Sequence, residues 1–205
     1  MNESEINKMS LTVLLPAGRL PLPIMAKAHE LAAKHGLEIY LSTLQNLRIL
    51  EVPETALEEF KKELGALDAD FKAPGKFPLP RVCVGKPHCN LGIIDTQALS
   101  TKILDRFKGR EKTKPKFKIA ISACVLSCSG ALLTDIAVVA SKKGLDLYVG
   151  GKGGPNPKVG RRVLRNVSDA EILDAIETLV EFHDKKTGQK QRMVKLIDDP
   201  EFPFP

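Results

Sequence analysis

The feature of this chain that most constrains its structure is its set of four cysteines. They stand in two close pairs: five residues separate Cys83 from Cys89, and three separate Cys124 from Cys128. Four thiolates on two short loops are enough to hold one 4Fe-4S cluster, because such a cluster takes one soft sulfur ligand for each iron. The pattern therefore predicts an iron–sulfur site with these four cysteines as metal ligands.

The residues around the cysteines suit short loops. Gly85 and Pro87 bend the first loop. Ser127, Ser129 and Gly130 keep the second loop small, so that its backbone can approach inorganic sulfur. Zinc is an alternative occupant, although structural zinc sites usually pair cysteines at a closer spacing than the first loop has. Disulfides, or buried thiols that bind nothing, are the other interpretations of the pattern.

The composition indicates where such a site would work. The first ten residues, MNESEINKMS, are polar and charged, so we expect no signal peptide. No stretch approaches the roughly 18 apolar residues of a membrane span, and we expect no membrane association. Paired cysteines of cytosolic proteins are more often metal ligands than disulfides, and we expect a cytoplasmic protein. A chain of 205 residues, 43% of them hydrophobic, can bury a core in one large domain or two small lobes.

An excess of positive charge points to anionic partners. The formal net charge is +6, and positive fields attract nucleic acids, polycarboxylate cofactors and small oxyanions alike. No nucleic-acid-binding motif accompanies the charge, and only 5% of the residues are aromatic, which is poor material for stacking bases. We therefore expect a small anionic substrate or an anionic cofactor, and no nucleic acid.

The hydrophobic pattern of the first lobe predicts a βαββα order, which is typical of an α+β sandwich. The predicted elements are strands at 11–15, 37–42 and 47–52 and helices at 22–35 and from Pro53 onward. The stretch 68–80 is rich in proline and glycine and is the expected domain boundary. We place the first domain at 1–77 and the second at 78–205.

The second lobe is predicted to deliver each cysteine pair from the end of a strand. The predicted elements are strands at 81–84, 116–122, 134–140 and 145–151 and helices at 90–109 and from Ser168 onward. Ser168 and Glu171 form a capping box at the start of the last helix. His183 shares the apolar side of that helix, so we expect it to fill the core rather than to bind a ligand.

Both cysteine loops resemble the 4Fe-4S- and siroheme-binding region of the nitrite/sulfite reductase family. In that family the second loop has a glycine before its first cysteine, three residues between the cysteines, and an acidic residue before an aliphatic–small–aliphatic run. This chain has Cys124, Cys128 and then residues 135–138, with Ala123 at the usual glycine position. The first loop matches through its spacing and through Asp95 downstream.

The resemblance extends to the first lobe, which is similar to the family's ferredoxin-like half through LPAGRL and STLQNLRILEVPE. It implies an α+β fold, in which a ferredoxin-like half-domain precedes an α/β 4Fe-4S/siroheme-binding domain. The length resembles that of small single-repeat members of the family, since larger reductases contain this unit twice. A homodimer or a related partner subunit is therefore expected.

The resemblance implies that the chain reduces sulfite or nitrite by six electrons, with a 4Fe-4S cluster and siroheme as cofactors. Cys128 corresponds to the cysteine that bridges cluster and siroheme iron. Lys116 and Lys118 align with the paired lysines of the family's anion site, which gives them a catalytic role; an exposed lysine pair on an edge strand is the alternative. Gln45 and Lys152 are assigned to binding siroheme, whose eight carboxylates require basic surroundings.

Three positions depart from the family pattern. Leu14 and Leu44 stand where the family has arginines, and a leucine cannot form their bidentate hydrogen bonds. Arg19 and Arg48 lie close by in the sequence, and they, or a basic residue of a partner subunit, are the candidates to take over cofactor or anion binding. The alternative is that each is an ordinary surface arginine. Leu126 stands where the family often has asparagine.

Three functions remain open at this point. The first is a siroheme- and 4Fe-4S-dependent reductase supplied with electrons by a donor protein such as a ferredoxin. The second is a family relative that keeps the cluster but serves as an electron-transfer protein, a sensor or a subunit. The third is a structural or nucleic-acid-associated protein that uses its cysteines for zinc or as core residues.

Overall fold

A computed structural model describes residues 7–114, 116–186 and 192–205. The chain folds into two compact units, which meet in sequence between Ala73 and Pro74. Most of the polar N-terminal stretch discussed above lies outside the described residues. Within the described parts of the chain, we find no helix whose length and apolarity would let it cross a membrane.

The first unit is an antiparallel sheet of four strands with two helices. The elements are β1 (Lys8–Leu14), α1 (Leu22–His35), β2 (Ile39–Leu41), β3 (Leu47–Pro53), α2 (Leu57–Gly65) and β4 (Asp70–Phe71). The strand order is β2-β3-β1-β4. Alternate residues of β1, among them Leu11 and Val13, pack with Leu31 of α1 and Phe60 of α2 in one buried core. The helices therefore cover one face of the sheet.

The predicted βαββα order of the first unit is confirmed, and one strand was missed. β4 lies inside the stretch 68–80, which was predicted only as a boundary. Asp70 and Phe71 pair with Leu14 and Val13 at the edge of the sheet. A two-residue strand beside prolines and glycines is too short to show alternating hydrophobicity. The sequence therefore carries no signal that predicts β4.

The second unit is a mixed sheet of five strands with two helices. The elements are β5 (Arg81–Val82), α3 (Thr96–Arg106), β6 (Ile119–Ser122), β7 (Ile136–Ser141), β8 (Gly144–Val149), β9 (Arg161–Val167) and α4 (Asp169–Lys186). The strand order is β5-β6-β7-β8-β9, and β5, β6 and β7 run parallel whereas β8 and β9 run antiparallel to their neighbours.

The two faces of this second sheet have different surroundings. On one face, Phe117 packs its ring 4.9 Å from the ring of His183 of α4, and both are buried, as predicted for His183. Successive side chains of a strand point to opposite faces, so Ala120 lies on the other face. There it packs with Ala137 and with Ala131, which follows the second cysteine pair. The second cysteine loop therefore continues into the face away from α4.

Two predicted boundaries in the second unit are wrong for local reasons. The helix predicted at 90–109 begins only at Thr96, because the Asp95 carboxylate accepts hydrogen bonds from the N–H groups of Gln97 and Ala98 at 2.9 and 3.0 Å. The strand predicted from residue 116 begins at Ile119, because Lys116 has a φ of +72°, which strands do not use.

Strand β9 was not predicted, because exposed polar residues, three arginines and Asn166, occupy four of its seven positions. The interpretation of Lys116 and Lys118 as an edge-strand pair is wrong. β6, which they precede, pairs with β5 on one side and β7 on the other.

Replacing the residue that caps α3 should destabilise the second unit. Asp95→Ala leaves two N–H groups of the first turn without their acceptor, and we expect the free energy of unfolding to fall by about 1 kcal/mol. Asp105→Ala is the control, because Asp105 is exposed near the other end of the same helix; we expect a change within about 0.5 kcal/mol. Urea unfolding followed by circular dichroism measures both, and equal losses would contradict the assigned cap.

Candidate functional site

The two cysteine pairs start at the same edge of the second sheet. Cys83 directly follows β5, and Cys124 is the second residue after β6. These strands are parallel neighbours, so their carboxyl ends lie side by side. The N–H group of Cys83 donates to the carbonyl of Ile121 at 3.2 Å, which continues the ladder into the first loop. The fold therefore brings the two loops together at their first cysteines.

Hydrogen bonds fix one loop against the other. The N–H group of Ala123 donates to Sγ of Cys83 at 3.1 Å, and the N–H group of Ile93 donates to the carbonyl of Ala123 at 2.9 Å. All four cysteines are free thiols, which removes the disulfide interpretation. An N–H donor to a cysteine sulfur stabilises negative charge there and tunes the potential of a bound cluster.

The first loop is folded tightly against the start of α3. The hydroxyl of Thr96 donates to the carbonyl of Cys83 at 2.6 Å. Gly85 has a φ of +59°, and a Cβ atom there would lie 2.7 Å from that same hydroxyl oxygen. A side chain at residue 85 would therefore both strain the backbone and push the loop from the helix.

The second loop consists of two consecutive turns that present its last cysteine. The N–H group of Ser127 donates to the carbonyl of Cys124 at 3.2 Å, and that of Gly130 donates to the carbonyl of Ser127 at 2.7 Å. Cys128 is the second residue of the second turn and is exposed, whereas the other three cysteines are half-buried. Leu126, the departure from the family's asparagine, is also exposed.

The chemistry of the donor set indicates what the two loops could hold. Within residues 7–114, 116–186 and 192–205, no three or more His, Cys, Asp or Glu side chains are grouped so that they could hold a metal ion. The four free thiols are nevertheless carried by two loops that start at one sheet edge. Four such thiols supply one soft sulfur ligand for each iron of a 4Fe-4S cluster, which is the donor set that a cluster requires.

Lys118 lies half-buried at the start of β6, among other charges. Its N–H group donates to Oδ2 of Asp135 at 3.0 Å. Burial lowers the pKa of its ammonium group, the guanidinium groups of Arg192 and Arg81 lower it further, and Asp135 opposes them. Lys116, by contrast, is exposed in the preceding turn. The two lysines therefore differ in environment: Lys118 is half-buried among charged groups, and Lys116 is exposed to solvent.

Asp135 is fully buried and is held by Arg192. Nε of Arg192 donates to Oδ1 and Oδ2 at 2.7 and 2.9 Å, and the N–H group of Met193 donates to Oδ1 at 2.9 Å. Burial raises the pKa of Asp135, while Arg192 and the backbone donors act to lower it. Arg192 also donates from Nη2 to the carbonyl of Gly151 at 3.1 Å, beside Lys152. One carboxylate thus ties Lys118, the Lys152 turn and the C-terminal segment together.

Arg81 lies beside the second cysteine loop. Its Nη2 atom donates to the carbonyl of Gly130 at 3.1 Å, two residues after Cys128. Burial lowers the pKa of the guanidinium. Lys152 pairs through its backbone with Lys158, with N–H to carbonyl distances of 2.8 and 2.7 Å, so that two lysines face each other across a short hairpin.

In the first unit, the structure brings the turn before Arg19 next to Gln45. A Cβ atom on Gly18 would lie 3.2 Å from Cβ of Gln45. The side-chain oxygen of Asn46 accepts a hydrogen bond from the N–H group of Leu15 at 3.2 Å, which joins the same two turns. Arg19 and Gln45, chosen from the sequence as cofactor-binding residues, are therefore carried by adjacent turns.

Arg48 lies on the sheet face that the helices of the first unit leave open. It stands opposite Thr12 across β1 and β3, and Leu14 is two residues further along β1 on the same face. Leu14 is half-buried and Leu44 is exposed. Arg48 therefore shares a sheet face with one of the two positions at which the family has arginine.

Comparison with known families decides where the chain belongs. Residues 79–200 match the family described as "Nitrite and sulphite reductase 4Fe-4S domain". Residues 5–67 match the family described as "Nitrite/Sulfite reductase ferredoxin-like half domain". The chain belongs to the nitrite and sulfite reductase family. The resemblance stated from its motifs is confirmed, and so is the ferredoxin-like half followed by a 4Fe-4S domain.

Individual members of this family differ in how much of their length the chain covers. An assimilatory-type sulfite reductase from Nitratidesulfovibrio vulgaris is 26% identical over 184 residues, which are 89% of this chain and 84% of that protein. A large subunit of NAD(P)H nitrite reductase from Klebsiella oxytoca is 26% identical over 207 residues, which are 97% of this chain and 20% of that protein. An NAD(P)H nitrite reductase from Emericella nidulans is 22% identical over 191 residues, 92% of this chain but 17% of that protein. The chain thus spans only a small part of these nitrite reductases.

Solved structures of the same architecture support the fold. The NirA protein of Mycobacterium tuberculosis superposes with a TM-score of 0.74 at 22% identity, over 92% of this chain and 37% of that one. Dissimilatory sulfite reductase I superposes with a TM-score of 0.72 at 12% identity, over 90% of this chain and 65% of that one. Both likenesses bear on the fold alone.

Two arginines of the nitrite and sulfite reductase unit were missed by sequence reasoning. Arg81 carried a signal, because it is a charged residue in a short strand two positions before Cys83. The sequence carried no signal for Arg192. It lies more than fifty residues from Asp135, and only the fold brings the two side chains together. Asp135 itself was noted as part of a motif, without a partner.

Removing the cation from the buried pair should be costly. Arg192→Met leaves the Asp135 carboxylate buried without its partner, and we expect the free energy of unfolding to fall by about 3 kcal/mol. Arg106→Met is the matched control, because Arg106 is exposed and pairs with the exposed Asp174 at 3.0 Å; its loss should be at most about 1 kcal/mol. Urea unfolding measures both, and a loss for Arg192→Met no larger than the control would contradict the role given to the pair.

Proposed function

We propose that the chain is a siroheme- and 4Fe-4S-dependent oxidoreductase that reduces sulfite or nitrite by six electrons. One observation carries the proposal: the parallel pairing of β5 and β6 puts both cysteine loops at one sheet edge, beside the cationic side chains of Arg81 and Lys118. A site of thiolates next to cations suits a redox cofactor that acts on an anion.

The four cysteines would hold the cluster. Cys83 and Cys124 come from the fixed bases of the loops, and Cys83 receives a hydrogen bond from the N–H group of Ala123. An N–H donor to a cysteine sulfur of this kind tunes the potential of a bound cluster. Cys128 is the exposed member of the set, and it would hold siroheme as well as the cluster.

Siroheme would require basic side chains for its carboxylates. Lys152, half-buried in the hairpin that Arg192 ties to Asp135, is the candidate in the second unit. Arg19, Gln45 and Arg48 are the candidates in the first unit, on the basis of the family resemblance. When bound, siroheme supplies an iron centre for the sulfur or nitrogen atom of the substrate.

Lys118 is suited to hold the anion and to deliver protons. Its ammonium group is half-buried beside other cations, and its pKa is lowered by burial and by Arg192 and Arg81. A lowered pKa makes an ammonium group a stronger acid at neutral pH, and protons must follow electrons in these reductions. Lys116, exposed and solvated, would contribute mainly to the local positive field.

An electron-transfer protein, sensor or subunit of the same family is the alternative function. The positions of Leu14 and Leu44 favour it, because two family arginines are replaced by side chains that cannot bind an anion. If Arg19 and Arg48 do not replace them, sulfite and nitrite turnover should be slow even with both cofactors present.

The proposed reductase would need a protein that donates electrons to it. The chain would receive electrons from a donor protein such as a ferredoxin; a ferredoxin–nitrite reductase from Synechococcus elongatus is 25% identical over 178 residues. Association with a second copy or a related subunit, and a cytoplasmic location, remain predictions.

The absorption spectrum of anaerobically purified protein separates the proposed functions. We expect a strong Soret band and a red band from siroheme, together with reduction of sulfite or nitrite by a strong artificial electron donor. A broad brown absorbance without a Soret band, in protein offered siroheme during expression, would favour the electron-transfer alternative. A colourless protein containing zinc would contradict both.

Substituting the lysines should have unequal effects. Lys118→Ala removes a charge-assisted hydrogen bond, and we expect the sulfite affinity of the loaded protein to fall about tenfold or more. Lys116→Ala should change it less than about threefold, because an exposed charge is screened by solvent. Lys142→Ala, exposed in the turn between β7 and β8, is the control. Siroheme content is measured for each variant, and a Lys118→Ala protein with unchanged affinity and unchanged content would contradict the assigned role.

A further inference from the structure

Two cationic side chains lie next to each other on the face of the second sheet away from α4. Arg81 stands opposite Ala120 across β5 and β6, and Lys118 is two residues before Ala120, so both point to the same face. The hydrogen bond from the N–H group of Ile136 to the carbonyl of Lys118, at 3.1 Å, extends the ladder to Lys118.

The charges of these two side chains are not neutralised. Asp135 is the nearby carboxylate, and its oxygens already accept hydrogen bonds from Arg192 and from the N–H groups of Met193 and Lys118. In the described residues, neither Arg81 nor Lys118 forms an ion pair with a carboxylate. The charged groups that act on the Lys118 ammonium are therefore two cations, Arg192 and Arg81, and one carboxylate, Asp135, which Arg192 already holds.

One nitrogen of Arg81 is buried without a partner. Its Nη2 atom donates to the carbonyl of Gly130, but Nε has no hydrogen-bond acceptor among the described residues. A Cβ atom on Gly130 would lie 2.8 Å from Nη2, so the glycine leaves the space that the guanidinium occupies. A buried donor without an acceptor is costly, and a ligand oxygen would remove that cost.

Most other arginines of the second unit pair with carboxylates. The pairs are Arg106 with Asp174 and Glu177, Arg110 with Asp184, Arg161 with Asp198, Arg162 with Asp146, and Arg192 with Asp135. Arg81 is instead held by a backbone carbonyl two residues after Cys128.

We propose that Arg81 and Lys118 together bind one anionic oxygen group beside Cys128. The choice of ligand rests on the proposed function: it is either the sulfite or nitrite substrate or a carboxylate of siroheme, which share the chemistry of an oxyanion. A guanidinium offers several N–H donors in a fixed plane and can hold two oxygens of such a group at once.

The pair can be tested on the anaerobically purified full chain, with sodium sulfite as probe at constant ionic strength. Binding is measured as the rise of the thermal midpoint with sulfite concentration, a readout that does not depend on turnover. We expect Arg81→Gln to weaken sulfite binding about tenfold or more, and Arg81→Lys to recover part of that loss, because it restores charge without the planar fork. Arg106→Gln removes an arginine from α3 and should leave binding unchanged.

The siroheme and iron contents of the same proteins identify the ligand. Weaker sulfite binding with unchanged siroheme content would place the substrate anion at the pair. A fall in siroheme content by about half or more, with iron unchanged, would place a siroheme carboxylate there. Either result supports the pair as an anion site.

Failure of the anion site and failure of the proposed reductase function give different results. If Arg81→Gln keeps both its siroheme content and its sulfite affinity within about twofold of the unsubstituted chain, the anion site is refuted. If the unsubstituted chain takes up no siroheme, the proposed reductase function fails, and the sulfite titration by itself decides whether Arg81 and Lys118 bind an anion. Unsubstituted protein that shows neither siroheme nor sulfite binding refutes both.

Discussion

The parallel pairing of β5 with β6 is the interaction on which the rest of the candidate site depends. It sets the carboxyl ends of two strands side by side, so that loops separated by about forty residues in sequence start within one hydrogen bond of each other. The N–H group of Ala123 then reaches Sγ of Cys83. A shift of this register by one residue would turn Arg81 and Cys83 to the opposite face and separate the two cysteine pairs.

A second constraint is the buried carboxylate of Asp135. It is fully removed from water, yet it accepts hydrogen bonds from Arg192, Met193 and Lys118. Such a group is stable in the interior only when its partners are in place, so it fixes the positions of the elements that supply them. Lys118 is held near the cysteine loops in this way, and the charged groups that act on its ammonium are the cations Arg192 and Arg81 together with Asp135 itself. The geometry of the fold and the charge of the site are thus set by the same contacts.

Much of this arrangement could be predicted from local sequence, and the failures have physical reasons. The cysteine spacing, the apolar periods of α1 and α4 and the motif around Cys124 predicted the family and the order of most elements, because each is carried by neighbouring residues. β4 and β9 were missed, since β4 is two residues long and β9 has exposed polar residues at four of its seven positions. The roles of Arg81 and Arg192 depend on contacts between distant segments, at Gly130 and Asp135, which no periodicity encodes. Lys116 and Lys118 look equivalent in sequence, and only the start of β6 makes one exposed and the other half-buried.

The assignment of all four cysteines to one cluster is tested most directly by counting metal atoms. Iron and acid-labile sulfide should each be present at about four per chain in anaerobically purified protein. Serine in place of Cys89, which lies in the first loop and away from the proposed siroheme-bridging position, should lower both counts together. Stoichiometric zinc without iron in the unsubstituted protein, or iron and sulfide counts unaffected by Cys89→Ser, would contradict a single cluster held by both loops.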